Sequence, residues 1–365
     1  MITRDVSRLF LGTNLQCAQC HDHPLVEDYK QDDYYGLFAF VNRTSLLSDK
    51  AKKRSTLSEK ADGEASFQSV FDPKKVTKTS LPRVPGGMAL MDPKVDPKML
   101  YVTAPAANVA GIPHYSRRQQ LAAQMARPDY EPFRRNLANR LWAFMMGRGL
   151  VEPLDMDHSG NPPTHPEILD AISDELRAGN MDIRHILRQI ARTRAYQRSS
   201  LPKTDAKEPP LYSVAPLKPV TPEQLALSLL EATGYIATQR LSLGTKVTEE
   251  ALHTRIAPLL PTFAKVYGNE PGTAAAFDAR IDQALFLANG PTVRSWLVDR
   301  PGSLLARLKA VKGDALADEL YLSVLSRLPD ATERRELADL LKRQPGALAE
   351  IAWGLMASTE FRFNH

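Results

Sequence analysis

Cysteine is scarce in this chain: 365 residues contain two. That excludes a disulfide framework, and it excludes a four-cysteine zinc ribbon, which needs two Cys-x-x-Cys pairs. Long apolar runs are missing as well. No stretch of 18 or so apolar residues could form a membrane-spanning helix. There is no Gly-x-Ser-x-Gly elbow, no Walker loop, no His-Glu-x-x-His and no dinucleotide-binding glycine fingerprint. Hydrolysis by paired carboxylates stays open, because such pairs leave no local signature. Neither sign of charge dominates: the net charge is +5, and the basic residues are interleaved with acids. The run Lys50-Ala51-Lys52-Lys53-Arg54 is short and reads as a solvated loop. No nucleic-acid motif accompanies it, so no nucleic-acid partner is expected. A hydrophobic content of 43% with 24% charged residues is that of a soluble globular protein, long enough for a sizeable core and two domains.

Both cysteines fall in one stretch, Gln16-Cys17-Ala18-Gln19-Cys20-His21-Asp22-His23-Pro24. Two cysteines placed at random would give Cys-x-x-Cys-His on the order of once in ten thousand times, so chance is a poor explanation. The spacing is the attachment signature of c-type haem: each thiol can bond one vinyl group, and His21 is placed to ligate the iron. Two other readings stay open. Cys17, Cys20 and one or both of His21 and His23 could hold zinc or iron, with distant histidines completing the set. Alternatively, Cys17 and Cys20 form a disulfide or are two buried thiols, and His21 and His23 are ordinary polar residues. A thioredoxin-like motif fits poorly, since no strand–helix unit surrounds Cys17.

Met1 opens directly into a helical pattern, without a charged, apolar and small-residue leader. Covalent haem attachment normally happens outside the cytoplasm. The expectation is therefore a periplasmic, secreted or cell-surface protein whose chain here is the later part of a longer one.

Read in order, residues 3–16 predict an amphipathic helix with Val6, Leu9, Phe10 and Leu15 on its apolar face. Residues 33–41 predict a short aromatic-rich helix whose rings could wall a pocket beside the cysteines. Residues 43–115 are poor in helical period; Ala65–Phe71 alternates and could pair with Lys75–Thr79 across Asp72-Pro73. Helices are expected at 116–127 and 132–146. A further one starts from a capping box formed by Thr164 and Glu167, and another spans 182–193. Residues 202–222 contain six prolines and predict a linker. Thr221-Pro222-Glu223 opens a helix. Beyond it, helices are expected at 222–232, 278–288, 290–298, 303–310, 314–327, 331–342 and 346–357, with 235–275 weakly patterned. The fold class expected is mainly α and multi-helical, with a small β-hairpin excursion in residues 43–110. Its segments are 1–45, 46–114, 115–201, 202–221 and 222–365.

Several stretches together resemble a known family. They are Phe10-Leu11-Gly12-Thr13-Asn14-Leu15 running into the cysteine motif, Asn139-Arg140-Leu141-Trp142 with Gly147-Arg148-Gly149-Leu150-Val151, and Pro162 through Asp170. Gln283 through Gly290 and the ending Glu360-Phe361-Arg362-Phe363-Asn364-His365 complete the set. They resemble large secreted proteins of planctomycete-type bacteria, in which a cytochrome-c-like domain precedes two conserved domains of unknown function. The resemblance implies that residues 1 to about 45 end the first of those domains and about 115–365 form the second. It brings no activity with it, and the resemblance implies that its cytochrome label comes mainly from the preceding cytochrome-c-like domain.

A second axial ligand, if there is one, would come from His114, His158, His165, His185, Met145, Met146 or Met156. His158 is favoured because it lies in a polar loop with Asp155 and Asp157, free to reach across. The function expected is electron transfer or redox chemistry at haem c, with a redox partner protein. The alternative is a non-enzymatic scaffold whose Cys/His site is structural, holding zinc or nothing.

Overall fold

The structure is a computed structural model that describes residues 2–49, 54–200, 211–268 and 280–364. Most of the Lys50–Arg54 run, half of the proline-rich stretch and the start of the helix expected at 278 lie outside the described residues. The fold is mainly α, with small two-stranded antiparallel ladders. It forms two compact units, Met1–Ala215 and Pro216–His365.

The first unit begins with α1 (Ile2–Leu11), a 3-10 turn at Cys17–Gln19 and α2 (Gln31–Val41). Three ladders follow: β1 (Thr44–Asp49) with β2 (Arg54–Glu59), β3 (Ala65–Phe67) with β4 (Lys78–Ser80), and β5 (Tyr101–Thr103) with β6 (Ile112–Pro113). The unit closes with α3 (Arg117–Met125), α4 (Glu131–Met146), α5 (Pro166–Ala178) and α6 (Ile183–Arg192).

Helix α1 is shorter than its pattern predicts. Gly12 takes φ +68° and turns the chain out of the helix, so a separate turn carries the cysteines. The buried face also differs. Thr3, Ser7 and Leu11 are buried, while Leu9 and Phe10 are 55% and 46% exposed. Small polar side chains on the inner face let α1 lie close against α4. There Asn136 Nδ2 donates to the Leu9 carbonyl at 2.9 Å, and Arg140 Nη2 donates to the Arg8 carbonyl at 2.6 Å.

The hairpin around Asp72-Pro73 exists but is shorter than expected. Phe67 pairs with Lys78 and Ala65 with Ser80. The Asp72 carboxylate accepts from the Lys74 and Val76 amides, folding residues 68–77 into a loop instead of more strand. The segment is anchored by two buried arginines. Arg43 Nη2 reaches Asp92 at 2.6 Å and Arg117 Nη2 reaches it at 2.9 Å. Thr164 does not form the expected capping box: its hydroxyl donates to the Leu150 carbonyl, and His165 is the residue before the helix.

Two apolar cores fill this unit. One lies beneath the cysteine turn and includes Leu11, Leu15, Ala18, Tyr29, Leu37, Phe40 and Leu121. The other joins α4, α5 and α6 through Trp142, Met146, Leu169, Leu176 and Ile186.

The second unit starts with β7 (Lys218–Pro219) and α7 (Pro222–Ala232), the latter opened by a capping box of Thr221 and Gln224. Then come α8 (Tyr235–Leu243), α9 (Glu249–Ile256) and α10 (Leu260–Tyr267), in the stretch that looked weakly patterned. Their inner faces are narrow: α8 buries only Thr238, and α10 only Phe263. The rest is α11 (Ile281–Asn289), α12 (Pro291–Arg294), α13 (Leu304–Ala310), α14 (Asp314–Leu325), α15 (Ala331–Arg343), α16 (Leu348–Met356) and β8 (Phe363–Asn364). The helix expected over 290–298 is thus a single turn. A core of Leu225, Leu229, Phe263, Trp296, Leu304 and Leu320 joins these helices, and β7 pairs with β8.

Candidate functional site

The cysteine turn is built from the core outward. Ala18 is fully buried and roots the turn among Leu15, Tyr34 and Leu37. The Cys20 amide donates to the Cys17 carbonyl at 3.1 Å, closing the 3-10 turn. In such a turn, side chains three residues apart eclipse. Cys17 and Cys20 therefore share a side, and both are free, exposed thiols. The turn is held from behind. Tyr35 Oη donates to the Gln19 carbonyl at 3.0 Å, and Gln31 Nε2 bridges the Gln19 and Gln68 carbonyls. The Val70 amide donates to the Cys20 carbonyl, laying the 68–77 loop alongside.

His21 follows directly. Its Nδ1 donates to the Asp22 carbonyl at 2.6 Å, so Nε2 carries the lone pair. One ring contact is with Phe71, at 4.6 Å between centroids. The donor set fits a covalently held haem: two accessible thiols on one side of a turn, then an imidazole whose tautomer is fixed by the hydrogen bond at its other nitrogen. His23 is differently occupied. Its Nδ1 accepts from the Leu25 and Val26 amides, which pins the loop. Among the described residues, no three His, Cys, Asp or Glu side chains converge closely enough to hold a metal ion.

His158 lies elsewhere. It packs edge-on against Tyr29 at 5.6 Å, and Tyr29 also meets His23 at 5.8 Å. His158 lines a cavity of about 550 Å³ together with Leu11, Thr13, Leu15, Asp28, Tyr29, Asp33, Glu131, Arg135, Asp157 and several prolines. Cys17, Cys20, His21 and His23 do not line it. The structure thus gathers Cys17, Cys20 and His21 on one turn, places His23 in the loop behind, and sets His158 in a neighbouring cavity. Of the other candidates, His185 binds Glu175 at 2.7 Å, His165 packs on Tyr212 and Met146 is buried in the core.

The cavity's carboxylates are tuned in different ways. Burial pushes Asp33 up against the opposing pull of Arg83 at 3.0 Å, and it pushes Asp157 up against Arg135 at 3.4 Å. Asp28 is held below the usual range because the Ser159 amide donates to it. Burial raises the Tyr29 phenol, whose hydroxyl donates to the Asp157 carbonyl. Sequence reasoning singled out only Asp157 and His158 here. The other groups come from segments about a hundred residues apart, and no local pattern marks them.

The model of a family described as PSD1, protein of unknown function (DUF1553), matches residues 117–341. The chain belongs to that family. A second model, PSCyt2, protein of unknown function (DUF1549), matches residues 1–46, the segment carrying α1, the cysteine turn and α2. The PSD1 match begins at the first residue of α3 and runs into the second unit. The segment between the two matches holds two of the ladders and most of the third, whose first strand, β1, starts within the PSCyt2 match. No curated protein and no solved structure matches the chain. Among the described residues, no helix is long and apolar enough to cross a membrane.

Proposed function

We propose that Cys17, Cys20 and His21 hold a covalently attached c-type haem, and that this PSD1 protein serves electron transfer or redox chemistry outside the cytoplasm with a protein redox partner. One observation carries the reading. Two free, exposed thiols share one side of a turn, and the adjacent imidazole offers Nε2 because Asp22 engages its Nδ1. The thiols would form the thioethers and His21 Nε2 would ligate the iron. When bound, the group supplies a one-electron couple. The chain's own residues prepare the place. The Asp22 carbonyl fixes the His21 tautomer, and Tyr35 and Gln31 hold the turn's carbonyls. Val70 and Phe71, 64% and 74% exposed on the loop bonded to Cys20, are the apolar surface available to a flat apolar group. His158, on the far side of the Tyr29 contact, is the second histidine of the reading.

The test is expression in a host with a haem-attachment system, followed by intact mass and a haem stain after denaturing electrophoresis. One haem per chain is expected. His21→Ala should keep the adduct and lose the low-spin iron spectrum. An unmodified mass overturns the proposal, and a stoichiometric zinc signal would favour a structural Cys/His site in a scaffold.

A further inference from the structure

The cavity beside His158 is walled by side chains from five separate stretches of the first unit, and the haem reading draws on it for His158 alone. Its floor is apolar, from Leu11 and Leu15, with proline rings at its edge. Its polar lining is strongly one-sided. Asp28, Asp33, Glu131 and Asp157 supply four carboxylates against one guanidinium, Arg135, in a chain whose net charge is +5. Two of the four are already balanced, Asp33 by Arg83 and Asp157 by Arg135. Asp28 and Glu131 have no ion pair within 4.0 Å among the described residues. Arg135 is itself divided between Asp157 and Asp170, so it is poorly placed to bind an anion. A separate observation points the same way. Thr13 Oγ1, in the cavity lining, is buried with no hydrogen-bond partner among the described residues. Such an atom can accept a hydrogen bond from a ligand's N–H.

From this arrangement we infer that the cavity binds a small organic cation, an aliphatic amine or guanidinium, with its charge facing Asp28 and Glu131 and its carbon chain on Leu11 and Leu15. A metal ion does not suit the site. The carboxylates are spread around the wall, and no three His, Cys, Asp or Glu side chains among the described residues come together as ligands. An extended cation can meet separated carboxylates one at a time, and an apolar floor favours a ligand with methylenes. Unpaired negative charge in a cleft with low-dielectric walls concentrates cations there and disfavours anions.

The inference is independent of the haem, and the experiment keeps the two apart. Calorimetric titration of the whole chain with the diamine cadaverine should show one site, weakening as salt is raised. Pentanediol, of equal length without charge, and glutarate, of opposite charge, should not bind. Glu131→Gln should weaken cadaverine about tenfold, the effect of losing one charge-assisted contact. Glu131 is exposed at the start of α4, so this variant should fold, which an unchanged melting curve would verify. His21→Ala should leave the affinity as it is. Absence of heat with cadaverine overturns the inference. So does equal binding of pentanediol, which would make the site one for hydroxyl compounds, and so does unchanged affinity in Glu131→Gln.

Discussion

Gly12 sets where α1 ends and where the cysteine turn begins, and its replacement by alanine tests that geometry quantitatively. The residue takes φ +68°, and a Cβ there would lie 2.7 Å from Asn136 Oδ1 and 3.3 Å from the Leu154 carbonyl. Two costs follow. Left-handed backbone costs an alanine about 1–2 kcal/mol relative to glycine. The Asn136 amide must also move. It is buried, it donates to the Leu9 carbonyl and it accepts from Arg140, so displacing it costs about a further 1–3 kcal/mol. Gly86 separates the two terms. Its φ is +73°, but a Cβ there meets nothing within 4 Å, so Gly86→Ala carries the conformational cost alone. Urea unfolding should be followed at Trp142, the one tryptophan of the first unit, with Trp296 and Trp353 changed to Phe throughout. With a urea slope of about 2 kcal/mol per molar, Gly86→Ala should lower the midpoint by about 0.5–1 M and Gly12→Ala by about 1–2.5 M. Equal midpoints for the two variants would show that the contact between α1 and α4 does not depend on Asn136, and the account of the turn's placement would fail.

Two further outcomes are expected. Arg117→Met should destabilise the first unit by about 3 kcal/mol in the same assay, because it strips a buried partner from Asp92 and leaves the buried Ala39 carbonyl without the donor it has at 3.1 Å; a loss below about 1 kcal/mol would mean the guanidinium is not buried as described. For Asp33, burial raises the folded-state carboxyl. The stability it contributes is therefore fully present below the ordinary value of 3.8 and is lost as pH rises through the higher folded value. Melting curves from acid to neutral pH should show Asp33→Asn gaining on the native chain across that window, and a parallel pair of curves would refute the shift.

Much of the helical part was legible because it rests on local rules. Pro222 at the first position of α7, with Thr221 before it, and Gly147 after α4 all act within one turn of chain. The failures have equally specific causes. On α1 the apolar residues suggested a buried face of Val6, Leu9 and Phe10, but the helix turns Thr3 and Ser7 inward. Close approach to Asn136 and Arg140 of α4 decides that, and their partners lie over a hundred residues away. Thr164 met the local pattern of a capping residue, yet the carbonyl of Leu150 captured its hydroxyl. Helices α8 to α10 escaped notice because each buries only one or two side chains, too few to show a period.

By itself the sequence determined that the cysteines and His21 belong together, since three residues of spacing place them on one turn wherever that turn is packed. It also determined the mainly α class, because proline, glycine and capping residues act over a few bonds. Only tertiary structure decided which way the turn faces. Ala18 is drawn into the core beneath it and both thiols are left outside. Tertiary structure alone also made the cavity: Asp28, Asp33, Glu131 and Asp157 span 130 residues and become neighbours only when α1, α2 and α4 pack. Charge and burial at such a site are properties of the packed chain, and no short stretch of sequence carries them.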